Sequence, residues 1–199
     1  LDALTDLTAF LKGEDVSNST YITQIASFFS DFETEVVALR LVIHFVGDLH
    51  QPLHAVSEVN SEYPKGDKGG NSEWINPSIG GVSGLHSLWD SILYTYSGYD
   101  TLPLSESDWE YYTTTSESEA SLYPVDETNL HAGEFQVWAD ESLAMAKEFV
   151  YPDFVEHIVP TDEYIATRKP LLEARVVLAG ARLAAVIEDI YGDSSVFTQ

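Results

Sequence analysis

Leucines fall at positions 1, 4, 7 and 11 of LDALTDLTAFLKG, with Thr8 on the same side. That spacing predicts a helix, and Gly13 suits its end. Asn18 or Ser19 is placed to cap a second helix, TYITQIASFFSDF. From Thr34 to Gly47 the apolar residues Val36, Val37, Leu39, Leu41, Val42, Phe45 and Val46 cover most of the surface, which predicts a buried third helix. Pro52 should end it near Leu49–Gln51. Ala55 to Gly84 is rich in Gly, Asn, Ser and Pro and reads as a long loop, with short hairpin strands around Asn71–Ile75. Helical spacing returns over Leu85–Tyr96 and over Ser105–Thr115, where Ser105 is the cap and Asp108 its partner. Thr113–Pro124 is polar and acidic and reads as loop. Asn129–Phe149 and Thr161–Tyr191 are helical again. There is no internal repeat. The fold class expected is mainly α, in one domain.

The composition adds three bounds. The chain has 199 residues, 44% hydrophobic and 12% aromatic, enough for a sizeable core. Nine Lys and Arg face 33 Asp and Glu, a net charge of -24. Such a surface repels polyanions and argues against tracking along a duplex. It leaves room for a nucleic acid held at one point by bound cations, which reverse the local field. Cysteine is absent, which excludes disulfides, thiolate metal sites and a Cys nucleophile. No apolar run is long enough to span a membrane and no signal peptide is visible, so no membrane partner is expected. Asn18-Ser19-Thr20 is an N-x-T glycosylation acceptor, which would fit a secretory route.

The six histidines carry the candidate chemistry. Three lie within HFVGDLHQPLH, residues 44–54. His44 and Asp48 are four apart, as are His86 and Asp90 in GLHSLWDS, so each pair shares one face of its helix. Each offers one nitrogen and one oxygen, a donor set that suits zinc. His54 follows the helix-breaking Pro52, where the chain can turn back toward the same cleft. One such pair alone is more often a satisfied structural histidine; two pairs and His54 favour a metal site. His50 should point elsewhere. His131 and His157 lack such a partner and read as surface or core residues. Arg168, Arg175 and Arg182, seven apart, are expected to bridge neighbouring carboxylates. Trp89 reads as core, as does the aromatic face with Trp109, Tyr111 and Tyr112. Gly69 and Gly70 permit a tight turn leading to Asn71.

HFVGDLHQPLH, then GGN (Gly69, Gly70, Asn71), then LHSLWD resemble the zinc-dependent class I nucleases of fungi, plants and protists in order, spacing and spelling. These are single-strand-specific nucleases and 3'-nucleotidases related to the zinc phospholipases C. LLEARVVLAGARLAAVIEDIY resembles the closing helix of that family, so the likeness covers nearly the whole chain. It implies a single helical phospholipase C/nuclease-like domain with three clustered zinc ions in a cleft, substrates that are single-stranded nucleic acid or 3'-nucleotides, and an extracellular location. Under that resemblance His44 and Asp48 hold one zinc, Asp48 reaches a neighbouring zinc and is the catalytic bridge, and His54, His86 and Asp90 hold a second.

The chain departs from the family at its front. There the family has a tryptophan, a histidine and a later Asp and His that complete the cluster; here no histidine precedes His44 and no tryptophan precedes Trp74. Leu1 aligns well inside the family's sequence. One full zinc site and part of the others are therefore expected from these residues. Two readings follow. One is a zinc phosphodiesterase completed by the missing segment, either a cleaved N-terminal chain of the same precursor or a stretch absent from this sequence. The other is a catalytically incomplete, self-associating structural or interaction subunit of an extracellular assembly.

Overall fold

The computed structural model describes residues 1–96 and 101–192. It is mainly α, as the periodicity predicts. Among the described residues there are seven α-helices: α1 (Asp2–Leu11), α2 (Thr20–Ala26), α3 (Asp31–His50), α4 (Leu85–Asp90), α5 (Glu106–Leu122), α6 (Phe135–Met145) and α7 (Asp162–Tyr191). The sheet is one antiparallel pair, β1 (Trp74–Ile79) and β2 (Val82–Gly84). None of the described helices is long and apolar enough to cross a membrane.

Several boundaries differ from the sequence reading for local reasons. The second helix stops at Ala26, because Ser30 opens α3 with a capping box: its Oγ accepts from the Glu33 amide and the Glu33 carboxylate accepts from the Ser30 amide. The hairpin lies over 74–84 instead of 71–75, since 66–73 is taken up by a turn. The helix begun at Leu85 ends at Asp90, where Ile92, Leu93 and Tyr94 adopt positive φ angles of 48°, 52° and 70°. Three non-glycine residues in the left-handed region are a strained stretch. α5 runs through Thr113–Leu122, read from sequence as loop. It buries no residue fully; of the aromatic face expected in the core, Trp109 and Tyr111 are exposed and Tyr112 is half-buried. The helix expected over 129–149 begins at Phe135 and closes with one π-helical turn, Ala146–Val150.

Two apolar clusters form the core. One gathers α1, α2 and α3 with Phe135 and Trp138 of α6 and Val186 of α7. The other gathers Leu53, the hairpin, α4 with Trp89, Ala146 and Val150, and Tyr164 and Leu172 of α7. α7 runs past both. α3 brings His44 and Asp48 from the first cluster and α4 brings His86 and Asp90 from the second, so the site sits at the seam.

The arginine stripe ties this seam together. Arg168 pairs with Asp153 at 2.8 Å, while Arg175 and Arg182 both donate to Glu141. Arg175 also donates to the His50 carbonyl, and Ser142 Oγ donates to the Leu49 carbonyl at 2.6 Å. The orphan carbonyls at the end of α3 are thus satisfied by α6 and α7. Burial alone would raise the Glu141 carboxyl, but hydrogen bonds from Arg182 and Arg175 outweigh it and hold the group down at about 2.

Candidate metal centre

α3 points His44 and Asp48 the same way, with His44 Nε2 3.2 Å from Asp48 Oδ2. Gln51 ends the helix, and its side-chain oxygen accepts from the Leu53 amide, starting the short 3-10 turn Pro52–Ala55. That turn swings His54 back between two carboxylates. His54 Nδ1 is 3.5 Å from Asp48 Oδ2 and its Nε2 is 3.2 Å from Asp90 Oδ1. On α4, His86 Nε2 is 3.5 Å from Asp90 Oδ2. The His54 and His86 rings stack at 4.8 Å. All five residues read from the sequence therefore meet in one cleft. His54, His86 and Asp90 form the tight group, each offering an atom within 4.8 Å of the others. His44 joins through Asp48 and is the most exposed, at 66% of its side chain.

Asp90 reaches both imidazoles, His54 Nε2 through Oδ1 at 3.2 Å and His86 Nε2 through Oδ2 at 3.5 Å. The donor set is also prepared. His86 Nδ1 lies 2.6 Å from the Gly69 carbonyl, which can only accept, so Nδ1 carries the proton and Nε2 presents its lone pair to the cleft. Gln51 donates to Asp90 Oδ1 at 2.7 Å. The hydrogen bond to Asp90 raises the His54 pKa, with Asp48 adding to it. Burial works to raise Asp90, and hydrogen bonds from His54 and Gln51 prevail and lower it. Two imidazoles and a carboxylate around one point fit a divalent cation.

His50 stands apart, as its position two residues past Asp48 predicts. It is buried, its Nδ1 donates to the Val46 carbonyl at 2.6 Å, and its Nε2 accepts from Arg182. Burial lowers its pKa to about 4, so it is a neutral structural group. The His131 and His157 rings pair with neighbouring acids, Glu134 and Glu156. Trp89 is buried and donates its indole N–H to Tyr164. Asn18 is exposed in the turn before α2, whose cap is Ser19. The contributions of Gln51 and the Gly69 carbonyl escape the sequence reading. Gln51 sits in the quoted QPLH run and its place before Pro52 is a usable signal; a backbone carbonyl has none.

A cavity of about 490 Å³ opens beside the cluster. His44, Asp48, His54 and Asp90 line one side; Ile92 and the α7 residues Leu172, Val176 and Ala179 form an apolar wall on the other. Among the described residues, no lysine or arginine lines it.

A family model described as S1/P1 Nuclease matches residues 15–192. The chain belongs to the S1/P1 nuclease family. It is 28% identical over 204 residues to Endonuclease 2 of Arabidopsis thaliana, covering 91% of this chain and 63% of that protein. It is 30% identical over 163 residues to Endonuclease 1 of the same plant, covering 78% of this chain and 50% of the relative. It is 28% identical over 174 residues to Nuclease S1 of Aspergillus oryzae, covering 79% of this chain and 55% of the relative. The chain thus spans about half to three-fifths of the length of the curated relatives it matches. All three matches are to proteins named as nucleases, and the metal-fit of the cleft agrees with membership.

Proposed function

We propose that the chain carries the metal cleft of a zinc-dependent phosphodiesterase that cleaves single-stranded nucleic acid or releases phosphate from 3'-nucleotides. The observation that carries this reading is the convergence of His54, His86 and Asp90 with the His86 proton already committed to Gly69. The nitrogen-rich donor set favours zinc over magnesium or calcium, which prefer oxygen alone. His54, His86 and Asp90 hold one ion. Asp48 faces both His44 and His54, which suits a carboxylate shared between neighbouring ions, and His44 serves the second.

Bound zinc would polarise a phosphate and lower the pKa of a coordinated water. The residues of the chain do the rest. Asp48 and Asp90 fix the imidazoles at their working angle, and Gln51 restrains Asp90. With no lysine or arginine among the described residues of the cavity lining, the substrate's charge is left for the cations to balance. The aliphatic side chains of Ile92, Val176 and Ala179 offer an apolar surface for an unstacked base, which a paired duplex cannot present. Secretion is part of this proposal: Asn18 is exposed and accessible to glycosylation.

The test is zinc content by elemental analysis together with cleavage of a single-stranded oligonucleotide. Wild-type protein should carry zinc and His86→Ala should lose it. Asp48→Ala should keep its circular dichroism spectrum and lose at least about 100-fold in cleavage wherever wild type cleaves. Zinc binding without turnover would favour the structural-subunit reading, to which the exposed Trp109 and Tyr111 on α5 lend support. Failure of the wild-type chain to bind zinc would remove both the metal and the hydrolytic assignment.

A further inference from the structure

Asp67 is fully buried, yet it lies outside the metal cluster. Its carboxylate accepts five hydrogen bonds. Oδ1 takes Ser57 Oγ at 3.1 Å, the Glu58 amide at 2.7 Å and the Gly69 amide at 3.0 Å. Oδ2 takes the Gly70 amide at 2.6 Å and the Tyr151 hydroxyl at 2.8 Å. A buried carboxylate is costly to desolvate unless it is paired or hydrogen-bonded, and this one is satisfied by three backbone amides and two hydroxyls.

The Gly69–Gly70 peptide unit gives the arrangement its meaning. Its N–H points to Asp67 Oδ2, and its C=O points the opposite way and accepts from His86 Nδ1 at 2.6 Å. One peptide group therefore joins a buried negative charge to the back of an imidazole. Gly69 and Gly70 have φ of +62° and +77°, and a Cβ on Gly69 would overlap the Leu53 carbonyl oxygen, so the peptide is held in a conformation that only glycine takes easily. A carboxylate hydrogen-bonded to the N–H end polarises the peptide and makes its carbonyl a stronger acceptor.

We infer that Asp67 is a positioning residue for His86: through the Gly69–Gly70 peptide it locks the imidazole in the Nδ1–H tautomer and strengthens Nε2 as a donor to a metal ion. Tyr151, at the end of the π-helical turn, keeps Oδ2 aligned on the Gly70 amide. The metal half of this inference rests on the zinc reading above; the tautomer half does not.

The experiment is long-range proton–nitrogen correlation NMR of the full, metal-free chain at pH 8, where imidazoles are neutral, followed by zinc and cobalt titrations. Wild type should show His86 as a single Nδ1–H tautomer. Asp67→Asn removes the charge and turns one of the two acceptor oxygens into an NH2 donor that faces other donors. It should give a mixture of tautomers, a 10–100-fold loss of zinc affinity and altered cobalt d–d bands. Tyr151→Phe leaves the charge and unties one oxygen; it should move the His86 nitrogen shifts the same way by less and weaken zinc binding several-fold. A folded Asp67→Asn protein with an unchanged tautomer and unchanged affinity overturns the inference. Should that variant fail to fold, Tyr151→Phe decides it, and unmoved His86 shifts overturn it. His86→Ala separates the two claims. If it leaves zinc affinity intact while Asp67→Asn still scrambles the tautomer, the metal assignment fails and the positioning role stands.

Discussion

Tyr164 serves two partners with one oxygen. Its hydroxyl accepts from the Trp89 indole at 3.0 Å and donates to the Val150 carbonyl at 2.6 Å, deep in the core. Tyr164→Phe would strip a partner from both groups at about 1–3 kcal/mol each. Thermal melting is expected to show a clear loss of stability, and an unchanged midpoint would mean that the surroundings can satisfy both groups. Gly69→Ala acts at the same scale by another route. It forces a side chain into the left-handed region and onto the Leu53 carbonyl, so a loss of at least about 1–3 kcal/mol is expected in denaturant titration. A stable, fully folded Gly69→Ala protein would show that the turn can shift. Residues of this kind divide by legibility. The His44–Asp48 and His86–Asp90 pairs stand out in the sequence because helical spacing fixes their geometry in advance. The Gly69 carbonyl and the Asp67 pocket depend on a loop conformation, which spacing does not encode.

Among the elements, α7 and α6 hold the end of α3. Arg175 and Arg182 converge on Glu141, whose carboxyl is held at about 2 against an ordinary value of 4.5. Its folded-state pKa lies below the unfolded one, so its contribution is present above about 4.5 and fades as the pH falls toward 2. Glu141→Gln should therefore lower the melting temperature clearly at pH 7 and make little difference at pH 2.5. A gap between variant and wild type that stays constant with pH would contradict the pairing. The arginine stripe was visible as a sevenfold spacing; its acceptor was not, since Glu141 lies 34 residues from Arg175 and 41 from Arg182. Two elements misled the periodicity in opposite senses. Thr113–Leu122 has weak helix formers and little apolar pattern, yet propagates from the Ser105–Asp108 capping box and packs along α7. Ser91–Tyr96 keeps an apolar pattern and still leaves the helix, through Ile92, Leu93 and Tyr94 in the left-handed region.

At the scale of the molecule, charge sets the terms for any nucleic-acid substrate. A net charge of -24 repels a polyanion at long range, and added salt screens that repulsion. For a basic nucleic-acid protein, affinity falls as salt rises. Here KM for a single-stranded oligonucleotide is expected to fall as sodium chloride is raised from about 10 to 100 mM, a range over which the Debye length shrinks from about 30 to about 10 Å. A KM that rises over that range would mean that the local field of bound cations outweighs the acidic surface. The tie from Arg175 to the His50 carbonyl also spans 125 positions of the chain. On the ribosome, at about 5–20 residues per second, His44, Asp48 and His54 emerge many seconds before the helix that braces them. The cleft then matures only once α7 has been made, and a nascent chain halted before α7 carries the histidines in order without the frame that aims them.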